Sequence, residues 1–311
     1  MVSNPGRAQG PLSKRIRLGA KVPNSGPLPF KLGIARMAAT LEAAGFESIW
    51  TSDHVVFPHE VHSRYPFAAD GVITWPVDVD YLEPVVALSA MTATTRTAEL
   101  GTSVLILPMR NPILFAKQAA CIDVLSGGRL VLGVGAGWLR EEFEALGADF
   151  DARGAVLDEW LSIARRCWTG TVEPFEGSHY RLPMAIHSRP VPVRRPPVLI
   201  GGMSRNALER AGRSADGWLA QYSLENLSEA GIADGLSAIR KAGRQAKRPD
   251  SELDGFRIVV RVTGADRNLD VLASRLESLA EAGATELVVD VNWESEDGPA
   301  RSFDTLRSAV A

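Results

Sequence analysis

Strand-like and helix-like segments alternate from one end of this 311-residue chain to the other. That alternation constrains the fold more than any single motif does. Arg15–Val22 alternates along its length and runs into Pro-Asn-Ser-Gly-Pro, and Leu28–Ala44 then carries apolar residues at helical spacing and stops at Gly45, a C-cap signal. The same reading predicts strands at Ser48–Ser52, Glu99–Leu107, Leu130–Val134, Pro197–Ile200, Trp218–Gln221, Phe256–Thr263 and Glu286–Val291. It predicts helices at Tyr81–Thr95, Pro112–Leu125, Leu139–Leu146, Ser204–Ala215, Asn226–Ala246, Asp270–Ala282 and Pro299–Val310. Strict alternation implies parallel strands joined by right-handed crossovers, and eight such units close into an α/β (β/α)8 barrel, the TIM barrel. A doubly wound open sheet is the alternative.

Two stretches break the rhythm. Asp53–Asp80 is a polar and aromatic loop, too long for a routine connection. An insertion follows the fourth βα unit, at about 148–196: amphipathic Gly154–Trp168, an extended or hairpin excursion at Thr171–Leu182, and proline-rich Pro183–Pro197. Met1–Leu12 is rich in Pro, Gly and Ser and lacks the apolar core of a signal peptide. The expectation is a flexible tail over 1–14 and a single domain over 15–311.

Composition narrows the function. Hydrophobic residues make up 45% and charged residues 23%, with a formal net charge of −3, which gives no electrostatic case for nucleic acid and fits an ordinary soluble protein. No apolar run approaches the ~18 residues a membrane span needs. Cys121 and Cys167 both fall in helical patterns and read as two buried thiols of a cytoplasmic enzyme.

Barrel active sites lie at the C-terminal ends of the strands, so the residues just after each strand are the candidates. Gly201-Gly202 precedes Ser204 at a helix start. Glycines let a ligand approach the backbone, and free amides at a helix N-terminus attract anions, so a phosphate site is expected there; the plain alternative is a Gly-Gly turn with Ser204 as N-cap. Asp53-His54 falls directly at a strand end. His54 can supply a proton or hydrogen bond, and Asp53 can orient it or bind a cofactor edge; the alternative is a structural pair in a loop. Asp53, His54, His59 and His62 fit no zinc spacing, and no metal is expected. Thr102-Ser103-Val104 carries little signal on spacing alone. Trp50, Trp75 and Trp138 either line a cavity or sit in the core. Arg140-Glu141-Glu142 reads as a solvated helix face whose acids favour the helix N-terminus. Gly133, Gly135 and Gly137 lie between an apolar strand and an acidic helix start, but Trp138 breaks the G-x-G-x-x-G dinucleotide fingerprint. Their expected role is to keep the end of strand four bare for a flat ring or its ribityl chain.

Taken together, Ala44-Gly-Phe-Glu-Ser-Ile-Trp-Thr-Ser-Asp-His54, Leu100-Gly-Thr-Ser-Val-Leu-Ile-Leu-Pro108, Asn111-Pro112, Asp123-Val-Leu-Ser-Gly-Gly-Arg-Leu130, Gly133-Val-Gly-Ala-Gly-Trp-Leu-Arg-Glu-Glu-Phe143 and Gly201-Gly202 resemble the bacterial-luciferase-like family of flavin- and F420-dependent oxidoreductases. The ending Gly-Trp-Leu-Arg-Glu-Glu-Phe is similar to that of actinobacterial F420-dependent members. The resemblance implies a barrel binding FMN or the deazaflavin F420 at its mouth. It places Asp53 and His54 against the ring, with a bulge or non-prolyl cis peptide near Ser103-Val104 behind it. It places the cofactor phosphate on Gly201 and Gly202. It implies an insertion that helps cover the site, a small organic substrate and a homodimer. Arg194, Arg195 and Arg205 become candidate partners for the F420 polyglutamate tail. Two positions depart from the family. Trp138 replaces the proton-donor glutamate of the sugar-phosphate dehydrogenases, and Ala136 replaces the phosphate-directed arginine of the luciferase subunit, so neither substrate carries over.

The expected cofactor set is therefore Asp53, His54, Thr102, Ser103, Val104, Gly135, Gly137, Gly201, Gly202 and Ser204, with His54 catalytic. The leading expectation is F420-dependent hydride transfer with an organic substrate. The alternatives are an FMN-dependent monooxygenase using reduced flavin and O2, and a non-catalytic flavin-binding protein on the same fold.

Overall fold

The structure, a computed structural model, describes residues 15–68 and 70–309. The tail expected over 1–14 lies outside them. Eight parallel strands form the barrel: β1 (Arg17–Lys21), β2 (Ser48–Thr51), β3 (Glu99–Thr102), β4 (Leu130–Gly135), β5 (Val198–Gly201), β6 (Gly217–Ser223), β7 (Arg257–Thr263) and β8 (Glu286–Asp290). They pair in chain order, β8 pairs with β1, and the β4–β5 pairing, with Leu132 opposite Val198, leaves a closed ring. The open-sheet alternative is excluded by that closure.

A small cluster fills the barrel: Trp50 with Val131, Leu199, Leu219, Val259 and Val288, and Val104 packed on it. Trp50 fits because its neighbours on β1 and β3 are glycines. A Cβ on Gly101 would come within 2.5 Å of the indole, and one on Gly19 would meet Ser48 Oγ at 2.2 Å. The indole Nε1 donates to Ser48 Oγ at 2.7 Å, which satisfies its one polar atom in the core. A larger apolar layer between strands and helices surrounds this cluster.

The helices depart from the expected spans where local chemistry decides. The predicted helix at Leu28–Ala44 is a wide turn at Pro29–Gly33 followed by α1 (Ile34–Ala44), with Gly33 at φ +81° between them. Helix α2 (Pro84–Thr92) starts three residues later than predicted. Pro84 occupies the first turn, the Glu83 side chain accepts from Val86 N at 2.9 Å, and Tyr81 instead bridges to Ser25. Helix α3 (Pro112–Ser126) is capped by Asn111. Helices α4 (Arg140–Ala145), α5 (Arg153–Cys167), α6 (Arg205–Ser214) and α7 (Glu229–Gln245) follow, and the predicted helix at Asp270–Ala282 is two short ones, Leu269–Ala273 and Leu276–Glu281. A short helix at Asp250–Asp254 was not predicted.

The insertion holds α5 and two short antiparallel ladders, Thr171–Val172 with Ile186–His187 and Phe175–Glu176 with Arg181–Leu182. Glu159 on α5 accepts the amides of Ser178, His179 and Tyr180, and Trp168 Nε1 donates to Ala116 O on α3 at 3.0 Å. The ladders therefore lie on the flank of the barrel. Cys121 is part-buried and Cys167 buried, and both are free thiols, so only one of the two expected buried thiols is fully enclosed.

Candidate active site

The C-terminal ends of the strands open into two adjoining cavities that share Phe67, Val104, Gly137, Trp138 and Gln221. One, of about 780 Å³, is centred on β1, β2 and β7 and holds His54. The other, of about 920 Å³, lies at β4 and β5 and holds Gly201, Gly202 and Ser204.

His54 follows β2 and is held from the opposite side of the mouth. Its Nδ1 lies 3.0 Å from Glu142 Oε2, and Glu142 Oε1 accepts Val55 N at 2.6 Å and Val56 N at 3.3 Å. A carboxylate only accepts, so the proton sits on Nδ1 and Nε2 is left for a ligand. Glu142 is 2% exposed. The sequence reading of Arg140-Glu141-Glu142 as a solvated face is thus corrected. Glu141 also turns inward across the loop, where it accepts His62 N, Ser63 N and Ser63 Oγ at 2.6–3.0 Å. Burial opposes its charge, but these donors outweigh it and hold its carboxyl at about 2. Arg140 alone faces solvent, paired with Asp151. Sequence reasoning missed Glu142 because its partners are 86–88 residues away in the chain.

Asp53 is a different kind of residue from its neighbour. Its carboxylate forms a fork with Arg110, at 2.6 and 2.8 Å, and accepts Ile106 N at 2.7 Å. Arg110 is also paired with Glu83 at 2.8 Å. Burial opposes the Arg110 charge, yet Asp53 and Glu83 raise its pKa above the ordinary arginine value. The Asp53 side chain is fully enclosed, so it neither orients His54 nor has a free oxygen for a cofactor edge. It fixes the start of the loop to the end of strand three.

Strand three itself is interrupted. After β3 the chain passes through a cis Ser103–Val104 peptide and resumes pairing with β4 at Leu105–Ile106. This break directs the Val104 side chain across β4 and β5. A Cβ on Gly135 would meet Val104 Cγ2 at 2.8 Å, and one on Gly201 would meet Val104 Cγ1 at 2.3 Å. A Cβ on Gly133 would lie 2.0 Å from the Thr102 carbonyl, and Gly137, at φ +91°, leaves room for Phe143 and Ile106. Gly133 and Gly135 admit the protein's own atoms, which corrects the expectation that they keep the strand bare for a ring, whereas Gly137 packs on Phe143 and Ile106 and also lines both cavities. Two expected cofactor residues fall outside both cavities for the same reason. Thr102 is fully buried and donates its hydroxyl to Gly133 O at 2.7 Å, and Gly135 lies beneath Val104. Ser103, Val104 and Gly137 do line the mouth.

Gly202 is the exception among the glycines. At φ +117° it favours glycine, its carbonyl accepts Trp218 Nε1 at 2.8 Å, and a Cβ there would meet only Ala207, at 3.2 Å. Ser204 caps α6, accepting from Ala207 N at 3.3 Å. Of the candidate tail-binding arginines, Arg205 stands at the rim of this cleft, between Ser204 and Asn206, 89% exposed and paired with Glu209. Arg194 reaches Gly128 O and Glu99, and Arg195 reaches Asp216, all at the N-terminal ends of strands and so at the opposite end from the mouth.

Aromatic rings wall the His54 cavity. Phe57 lies 4.2 Å from the imidazole centroid, Tyr81 5.8 Å and Trp138 6.0 Å, and Tyr65 bridges Trp138 to Trp75. Trp75 and Trp138 therefore line the site, whereas Trp50 is core. Burial, then the Asp53 charge, push the Tyr81 phenol well above its usual range and keep it neutral. Of the insertion, only its first part, Phe150–Leu157, reaches a cavity; the cover comes mainly from the loop after His54. No group of three or more His, Cys, Asp or Glu that could hold a metal occurs among the described residues, and no described helix is long and apolar enough to cross a membrane.

Comparison with known proteins agrees with this architecture. The family model described as luciferase-like monooxygenase matches residues 31–283. An uncharacterized protein of Mycobacterium tuberculosis (strain ATCC 25618 / H37Rv), Rv0940c, is 37% identical over 183 residues, covering 59% of this chain and 63% of its own length. Among solved structures, an F420-dependent secondary alcohol dehydrogenase in complex with an F420-acetone adduct superposes with TM-score 0.74 at 16% identity, covering 96% of this chain and 99% of its own. The oxygenating constituent of 3,6-diketocamphane monooxygenase from Pseudomonas putida, in complex with FMN, gives TM-score 0.70 at 16% identity, with 96% and 98% covered. At those identities the two structures share the fold with this chain.

Proposed function

The chain belongs to the luciferase-like monooxygenase family, whose members are F420- or FMN-dependent oxidoreductases and monooxygenases, and on that premise we propose that it is an F420-dependent oxidoreductase exchanging hydride with a small organic substrate. The observation that carries the reading is the continuous mouth, with a polar glycine-rich end at β5 and an aromatic end around His54. The residues fit an elongated phosphate-bearing ring cofactor. Gly201, Gly202 and Ser204 at the start of α6 would hold its phosphate, and Ser103, Val104 and Gly137 would lie along its ring. When bound, such a cofactor supplies the hydride chemistry.

The protein's own part is orientation, exclusion of water and proton handling. Glu142 fixes the imidazole so that Nε2 of His54 holds or moves a proton at the substrate's polar atom. Phe57, Tyr65 and Trp75 exclude water around it. His54→Ala is expected to leave cofactor affinity similar and to lower turnover by roughly 10²-fold; unchanged turnover would remove His54 from the chemistry. Fluorescence titration with F420 and FMN side by side tests the cofactor. Binding of FMN alone would replace this reading with the oxygen-using monooxygenase, and binding of neither would overturn both.

The expected homodimer is part of the same proposal. It is supported by four exposed apolar side chains on α2 and α3: Val86, Leu114, Val124 and Leu125. Light scattering is expected to give twice the chain mass; the mass of one chain would contradict it.

A further inference from the structure

The His54 cavity has a positively charged floor for which the reaction above has no use. Lys21 ends β1 and Arg261 lies on β7, and both line this cavity but not the cleft at Gly201–Gly202. Lys21 is 8% exposed, and its ammonium has only neutral acceptors, Val22 O at 3.1 Å and Asn24 Oδ1 at 3.2 Å. Arg261 donates to Ser103 O at 2.8 Å, with Ser52 Oγ and Gln221 Oε1 at 3.4 Å, and its Nε is buried without a partner. Arg110, Arg210 and Arg257, which are also largely buried, each hold a carboxylate. Among the described residues neither Lys21 nor Arg261 forms an ion pair. Burial first, then the Arg261 charge, pull Lys21 down to about 7, against the attraction of Asp290. Two inward cations without a paired counter-charge are unfavourable until an anion joins them.

We propose that Lys21 and Arg261 form an oxyanion subsite for the substrate, so that the organic substrate is a carboxylate whose apolar body lies against Phe57, Tyr65 and Trp75. The assignment rests on the oxidoreductase reading and deepens it to a substrate class. A carboxylate fits because a guanidinium and an ammonium together offer several donors to two oxygens. The aromatic wall supplies the apolar part of the site.

Benzoate and benzamide, of nearly the same shape, are the probes, titrated calorimetrically into the full chain with and without F420. Benzoate is expected to bind at least tenfold more tightly. Lys21→Met and Arg261→Met should each abolish that preference, and Lys21→Arg should retain most of it. At pH 8 benzoate binding should take up a fraction of a proton, because the anion restores the charge on Lys21; the charged groups facing that amine are Arg261 from β7 and Asp290 from β8. Lys21→Met should lose this uptake. Equal affinity of the two probes for the unaltered protein overturns the proposal, as does a preference that survives both Met variants. A preference unaffected by the variants, with a shifted reduction potential of bound F420, would assign the cations to the cofactor ring instead. If the Met variants do not fold, the probe comparison and the proton uptake still decide the matter. Failure to bind F420 or FMN sinks the oxidoreductase reading while leaving the benzoate titration interpretable.

Discussion

Glu142 shows how a buried carboxylate gains a role from its partners. It lies in the first turn of α4, where an acid is favourable in any helix. Its environment adds three donors, the His54 ring and two amides of the segment that follows. Glu142→Gln keeps an acceptor for the amides but removes the anionic partner of the imidazole. It is expected to lower kcat about tenfold while leaving the cofactor Kd unchanged; equal losses in both would mean that Glu142 only holds the loop. Asp53 and His54 are adjacent in sequence, and their place at a strand end was legible there. Their division of labour was not, because it depends on Arg110 and Glu142, which the fold brings from elsewhere.

At the scale of elements, the interruption after β3 organises the mouth. Val104 projects over two neighbouring strands, and Gly135 and Gly201 exist to admit it. A methyl group at Gly201 would overlap Val104 Cγ1, so Gly201→Ala is expected to destabilise by about 1–3 kcal/mol. Val104→Ala in the same chain should recover part of that loss, which a double-mutant cycle measures; strict additivity would show that the two positions are independent. Glycine positions were visible in the sequence, but what occupies the space beside a glycine was not. The same run of glycines is compatible with a ligand, a carbonyl oxygen or a valine methyl. Among the glycines that line the cavities, Gly202 is the one approached only by Ala207.

At the scale of the molecule, the two ends of the barrel have opposite electrostatic designs. The closed end is neutralised within itself. Arg257 bridges Glu99 at 2.7 Å and also holds Glu286, Arg17 pairs with Glu99 at 2.8 Å, and Ser48 donates to Glu286 at 2.5 Å. Burial works against the Glu99 charge, but Arg257 and Arg17 outweigh it and hold its carboxyl at about 2. A carboxyl depressed on folding contributes stability that is full above its unfolded value of 4.5 and is lost as pH falls toward 2. Glu99→Gln should therefore be less stable at pH 7 yet lose less stability between pH 4.5 and 2. Denaturant midpoints across that window check this; parallel curves for the two proteins would refute it. The open end, by contrast, leaves Lys21 and Arg261 outside any ion pair among the described residues.

The sequence by itself determined the barrel, the strand ends that form its mouth, and the glycine, histidine and aromatic residues placed there. It could do so because alternation of strand and helix, caps and turn residues are local signals whose physics acts within a few positions. Only the tertiary structure decided which of those residues line the cavities and which face each other. Thr102 and Gly135 turned out to pack against protein, and Asp53 to be neutralised by Arg110, whereas Glu142 became the partner of His54, and Lys21 and Arg261 became a charged floor. Burial, ion pairing and close approach are relations between residues distant in the chain, and closure of the barrel is what brings them together.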